Sequence, residues 1–271
     1  MKSIIKSLKD YILNLEKKGW VIVISTLVII ASFFTTVINP VISFFSKTEI
    51  IIKGEWNDMI ADEYFINILE DRKGDTIYHK LIGFYTTHDG ISENKIALYY
   101  SRDKEHDCHV CDVDISVFEI ENKEGKWIKK EEYINAFQDG SYGKPPTKML
   151  ALTIGYGKYG ILAWGHYMQH GFIDEWITLH TPLGKKMSEV LKEYVHEDDE
   201  GAHPRKDNKY TNWTSEIEFI KEGYGFYDIK ITKKGKKEGK KFTETNIYKF
   251  NGEKYLIDYG INVGNSIWIW E

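Results

Sequence analysis

Hydrophobic and polar positions follow different rules on the two sides of Ser46. Before it, Gly19 to Ser46 contains no charged residue, and Trp20 to Ile38 reads WVIVISTLVIIASFFTTVI. Those nineteen residues cover roughly 28 Å at about 1.5 Å each, close to a hydrocarbon thickness of about 30 Å. Asn39-Pro40 interrupts the helix, because proline lacks the N–H and crowds the preceding turn. Val41 to Phe45 adds a last turn, so the predicted membrane span is 20–45, with Trp20 as an interfacial anchor. Ahead of it, Ile5, Leu8, Ile12 and Leu15 form a helical stripe with lysines on the other face. Segment 1–19 therefore reads as a cytoplasmic amphipathic segment, either lying on the inner leaflet or extending the span.

After Ser46 the period changes to two. Alternation is visible in Ile66, Ile68; in Val113, Ile115, Val117; in Leu150, Leu152, Ile154; and in Ile217, Phe219. Runs rich in Ile, Val, Tyr, Phe and Thr stop at Lys73-Gly74, Asp89-Gly90, Glu124-Gly125, Leu183-Gly184, Lys234-Gly235 and Asn251-Gly252. Short strands separated by such turns predict an all-β antiparallel meander over 46–271. FEIENKEGKWI, WITLHTPLGKKM and YKFNGEKYLI repeat a strand–turn–strand theme, each after an earlier strand. The expectation is three four-stranded units with insertions. One short helix is expected at 185–195, where Met187, Val190, Leu191, Tyr194 and Val195 fit a helical stripe. Residues 196–208 read as a polar loop. Ser266 to Trp270 reads as a closing strand with its tryptophans on one face. The predicted fold class is thus mainly β behind a single transmembrane helix.

Flanking charge orients the span. Lys2, Lys6, Lys9, Lys17 and Lys18 precede it, against Lys47 and Lys53 after it, which places the N-terminus in the cytoplasm. A cleaved signal peptide would need a shorter apolar core ending in small residues, where this chain has Phe33, Phe34, Phe44 and Phe45. An uncleaved, single-pass signal anchor in the cell membrane is the expectation, with an extracytoplasmic main domain. The 271 residues carry 36 Lys plus Arg against 41 Asp plus Glu, a net charge of −5, which argues against nucleic acid as a partner. The bilayer is the expected partner, together with an envelope protein or an anionic polymer.

Candidate chemistry centres on His106-Asp107-Cys108-His109-Val110-Cys111-Asp112. A c-type haem requires histidine directly after the second cysteine, and Asp112 stands there. A thioredoxin-like site requires a helix after the first cysteine, whereas Asp112 onward alternates as a strand. Zinc held by Cys108, Cys111, His106 and His109 remains a candidate, although a second C-x-x-C pair is missing. The favoured reading is a Cys108–Cys111 disulfide in an oxidising compartment, with no cofactor. Glu105, Asp107 and Asp112 raise rather than lower a nearby thiol pKa, against a reactive thiolate.

Other candidates are binding residues. His166 and His170 are spaced i, i+4 but lack the glutamate of H-E-x-x-H, and sit at an expected hairpin tip. Tyr142 lies in the rigid-looking loop GSYGKPP (140–146). Lys233, Lys234, Lys236 and Lys237 belong to KITKKGKKEGKK, read as a basic hairpin tip able to touch an anionic surface. No nucleophile elbow, P-loop or dinucleotide fingerprint is present, and the glycines of Gly155-Tyr156-Gly157 and Gly223-Tyr224-Gly225 read as turn residues. Ser101-Arg102-Asp103 leading to CHVC, with GKW (125–127) and GSYGKPP, resembles an uncharacterised family of exported bacterial proteins with a CH-x-C loop. The resemblance implies an envelope protein and no particular activity. The function expected is non-catalytic: binding, sensing or envelope assembly. The alternative is a redox or metal-binding role for the cysteine loop.

Overall fold

The computed structural model describes residues 50–74, 76–88, 93–104, 111–203 and 209–258. The expected membrane span and the segment before it lie outside these residues, as do His106, Cys108, His109 and the expected strand at 266–270. Among the described residues, no helix is long and apolar enough to cross a membrane.

The described chain is mainly β, with antiparallel sheets and one α-helix. In order it runs β1 (Ile50–Lys53), α1 (Asp58–Lys73), β2 (Ile77–His88), β3 (Glu93–Asp103), β4 (Val113–Lys123) and β5 (Lys126–Asp139). Then follow β6 (Lys148–Gly155), β7 (Lys158–Gln169), β8 (Phe172–Leu183), β9 (Lys186–Asp198) and a 3₁₀ turn at Glu200–Ala202. The last strands are β10 (Asn212–Ile220), β11 (Asp228–Lys237), β12 (Lys240–Phe250) and β13 (Tyr255–Ile257). A five-stranded sheet has the order β1-β5-β4-β3-β2, and an eight-stranded meander runs from β13 to β6. This replaces the expected three four-stranded units. The repeated hairpins are real, at β4–β5, β8–β9 and β12–β13. They do not group in fours, because β1 docks on β5 and the sheet breaks before β6.

Three apolar cores hold these layers. Ile96, Leu98, Ile115 and Val117 of the small sheet meet Met149, Ala151, Ile161 and Ala163 of the large one. On the other face of the small sheet, α1 packs Ala61, Phe65 and Leu69 over Ala97, Tyr99, Phe118 and Ile120. The third core is enclosed by the large sheet itself, where Ile154, Leu162, Leu179 and Leu191 meet Ile229, Ile231, Tyr248 and Tyr255. The sheet rolls until the end of β6 bonds the segment leading to β11: the Tyr227 N–H donates to Ile154 O (2.7 Å) and the Tyr156 N–H to Gly225 O (3.2 Å). A Cβ on Gly155 would stand 2.4 Å from Gly225 O, so this closure requires glycine. The two Gly-Tyr-Gly turns thus meet, and Tyr156 and Tyr224 pack edge to face at 5.7 Å.

Two local expectations are corrected. Residues 58–73, whose Ile66 and Ile68 suggested a strand, form α1. The Asn57 side chain accepts from the Ile60 N–H (3.1 Å), Asp58 opens the helix, Arg72 and Lys73 close it, and Gly74 caps it at φ 79°. Its buried face is Ala61, Phe65 and Leu69, an i, i+4, i+8 series, while Ile66 and Ile68 are only half-buried neighbours. Conversely, 185–195 is no helix but the body of β9. The register with β8 skips Val190 and again Val195. Two bulges thus insert an extra residue each, converting a period of two into spacings of three and four. His196 to Asp198, expected in the polar loop, continue this strand. Gly235 likewise lies within β11 against Trp213, and the hairpin turn is Glu238-Gly239.

Phe65 is fully buried and stacks on Phe118 with ring centres 4.4 Å apart. Phe65→Ala is expected to destabilise the protein by about 3–5 kcal/mol in urea denaturation, a transfer loss plus a cavity. Met59→Ala, at a position 82% exposed on the same helix, is expected to change it by less than about 0.5 kcal/mol.

Candidate functional site

At one end of the inter-sheet core the covering fails, and a cleft opens. Strand β2 supplies Lys80, Leu81 and Ile82; β3 supplies Tyr100 and Arg102; the β5–β6 connection supplies Gly143 to Thr147. The cleft volume is about 460 Å³, within the range of small-molecule sites. A bulge between Leu81 and Gly83 inserts Ile82 into β2, so the strand re-phases between its outer and inner stretches. Tyr78, opposite Arg102, and Lys80, opposite Tyr100, thereby share one face beyond the closed core.

The loop facing them is fixed by its own backbone. Ser141 and Lys144 exchange N–H···O bonds at 3.0 and 2.9 Å, with Tyr142 and Gly143 both at positive φ, 55° and 62°. A tight turn of this hand needs two left-handed residues. Gly140, at φ 100°, has no room for a Cβ, which would meet Lys144 O at 2.0 Å. Pro145-Pro146 then stiffens the exit toward β6. The Gly143 N–H donates to the Cys111 carbonyl at 3.0 Å, tying the turn to the end of the cysteine loop.

Lys80, Arg102 and Lys144 are exposed, and among the described residues no carboxylate lines the cleft with them. None of the three is ion-paired among the described residues. Arg102 lies over the Tyr78 ring at 5.5 Å, and Tyr78 meets Tyr100 at 6.1 Å. Several other lysines are ion-paired: Lys73 with Asp114 (3.1 Å), Lys130 with Glu119 (2.7 Å), Lys233 with Glu193 (2.8 Å) and Lys234 with Glu216 (3.0 Å). Burial pushes the Tyr100 hydroxyl pKa up, so the phenol stays neutral at physiological pH.

The structure brings some residues singled out from sequence to this cleft and leaves others elsewhere. Tyr142 stands in its rim turn, 60% exposed. His166 and His170 lie at the β7–β8 hairpin end, both exposed, with His170 in the turn at φ 51°. Among the described residues, no three His, Cys, Asp or Glu side chains gather as a metal site. Lys233 and Lys234 are spent on their ion pairs, and Lys236 donates to Tyr210 Oη at 2.7 Å. Lys237 ends β11, exposed beside the turn. Cys108, His109 and His106 lie outside the described residues, and Cys111 just precedes β4. Lys80 and Tyr100 were not anticipated. Their signal in the sequence is a tyrosine–lysine alternation, Tyr78-x-Lys80, facing Tyr100-x-Arg102 across a hairpin.

Two other polar groups are structural. His79 Nδ1 lies 2.8 Å from Ser101 Oγ, but Ser101 is only 2% exposed and thus shut away from any substrate. His180 stacks on Phe137 at 3.8 Å, nearly parallel. Burial pulls its pKa from the usual 6.5 down to about 4, so the folded ring is neutral.

Comparison with family models, with curated proteins and with solved structures finds no match to this chain.

Because the folded pKa of His180 is depressed, the unfolded chain binds more protons between the two values. Its contribution to stability is complete above pH 6.5 and is lost as pH falls toward 4. Urea melts at pH 7 and 4.5 are expected to show wild type losing about 2 kcal/mol more than His180→Phe, which keeps the stacking partner but cannot titrate.

Proposed function

We propose that this chain is a membrane-anchored, extracytoplasmic binding module without catalytic function. The cationic cleft beside the Gly140–Pro146 loop is its recognition site. The observation that carries the binding role is three cations, without an ion pair among the described residues, on one open cleft framed by a backbone-fixed turn. Rigid surroundings favour recognition, because little ordering entropy is lost on binding.

The anchoring role rests on the uncharged stretch Gly19–Ser46 and on the excess of lysine before it. Only four residues separate Phe45 from Ile50, the start of β1. Outside the cytoplasm, Cys108 and Cys111 close a short disulfide loop. The Gly143 N–H ties Cys111 itself to the turn that borders the cleft. Resemblance to exported bacterial proteins agrees with this placement.

Fractionation tests the anchoring. The chain is expected to remain with membranes after alkaline carbonate extraction and to leave them only in detergent. Protease added outside cells stripped of any outer barrier is expected to digest residues 50–258. Release by carbonate, or full protection of that body, contradicts the reading.

A further inference from the structure

The chemistry of the cleft narrows what it binds. Lys80, Arg102 and Lys144 place three positive charges on one concave surface, with no acidic side chain in its lining among the described residues. Such a set matches an anion of two or more charges, and the arginine fork suits the paired oxygens of a phosphate. A bare oxyanion would leave most of a 460 Å³ cleft empty. The remaining walls are Ile82, Tyr100, Pro145 and Pro146, apolar surfaces against which an organic portion can pack.

We propose that the cleft binds a small phosphate-bearing organic molecule, its phosphate held by Lys80, Arg102 and Lys144 and its organic part lying on Tyr100 and the two prolines. This rests on the reading of the protein as a binding module and goes further by naming the ligand class. Tyr78 is a positioning residue. Its ring lies under the guanidinium of Arg102 and limits where that fork can point. The backbone of the Ser141–Lys144 turn does the same for Lys144. The phosphate can come from a soluble metabolite or from a lipid headgroup, and the shared chemistry is the phosphomonoester or diphosphate.

Calorimetric titration of the detergent-solubilised full chain separates these sources. The soluble probes are pyrophosphate and glycerol 3-phosphate; the lipid probe is dihexanoyl phosphatidic acid, with dihexanoyl phosphatidylcholine as its control. Saturable binding of glycerol 3-phosphate more tightly than pyrophosphate assigns a free organic phosphate, and binding of phosphatidic acid alone assigns a headgroup; both outcomes support the proposal, whereas binding of pyrophosphate alone assigns a bare oxyanion and overturns it. Each cation removed, as Lys80→Gln, Arg102→Gln or Lys144→Gln, is expected to weaken binding about tenfold. Lys158→Gln, outside the cleft, is expected to leave affinity unchanged. All four positions are exposed, so the variants are expected to melt within a few degrees of wild type. No binding of any probe up to about 10 mM, or affinity indifferent to all three cleft substitutions, overturns the proposal. A chain that resists carbonate but binds no probe loses the ligand assignment and keeps its anchor. A chain that binds the probes but washes off membranes keeps the cleft and loses the anchor.

Discussion

Strands β3 and β4 have almost no solvent face, and the remaining elements are arranged around that constraint. Ile96, Leu98, Ile115 and Val117 point into the core shared with the large sheet, while Ala97, Tyr99, Phe118 and Ile120 lie under α1. A strand pair buried on both sides is stable only if both covers are present. The helix supplies one cover and β6–β7 the other. Toward their Asp103 and Val113 ends the covering thins: Tyr100 is half-buried and Arg102 is exposed. The cleft is therefore the place where the central hairpin outruns its cover, and its cations sit on a frame whose other end is locked in the core.

This architecture explains what could be read from the chain. Where a sheet has one buried and one wet face, alternation survives, as in the Ile217 and Phe219 of β10. Hairpin turns at Glu124-Gly125, Leu183-Gly184 and Asn251-Gly252 carry their glycines openly and were legible. Two-sided burial erases alternation, so IALYY in β3 reads as strand without revealing which face meets what. The bulges at Val190 and Val195 go further and imitate a helix. Helix α1 hides in the opposite way: its cap residues Asn57 and Gly74 are plain, but its apolar positions are crowded enough to suggest alternation. Partition into two sheets depends on β1 pairing with β5 across more than seventy residues, which no local pattern encodes.

The site was half legible for the same reason. GSYGKPP is recognisable as a stiff loop because glycine and proline declare their backbone needs. Arg102 belongs to the Ser101-Arg102-Asp103 motif that leads into the cysteine loop. Lys80 and Tyr100 become site residues only through the β2–β3 register, and the bulge at Ile82 cannot be read from composition. The basic run around Lys233, conspicuous in sequence, is largely spent on Glu193, Glu216 and Tyr210. What marks Lys80, Arg102 and Lys144 is their convergence on one cleft, without an ion pair among the described residues.

Residue-resolved hydrogen exchange tests the central constraint most directly. If the twice-covered hairpin organises the fold, the amides of β3 and β4 exchange last and together, at the rate of global unfolding, while β2 and β13 at the sheet edges exchange sooner. Exchange of β3 and β4 as fast as those edge strands would contradict the account, because the covers on both faces would then be open in solution.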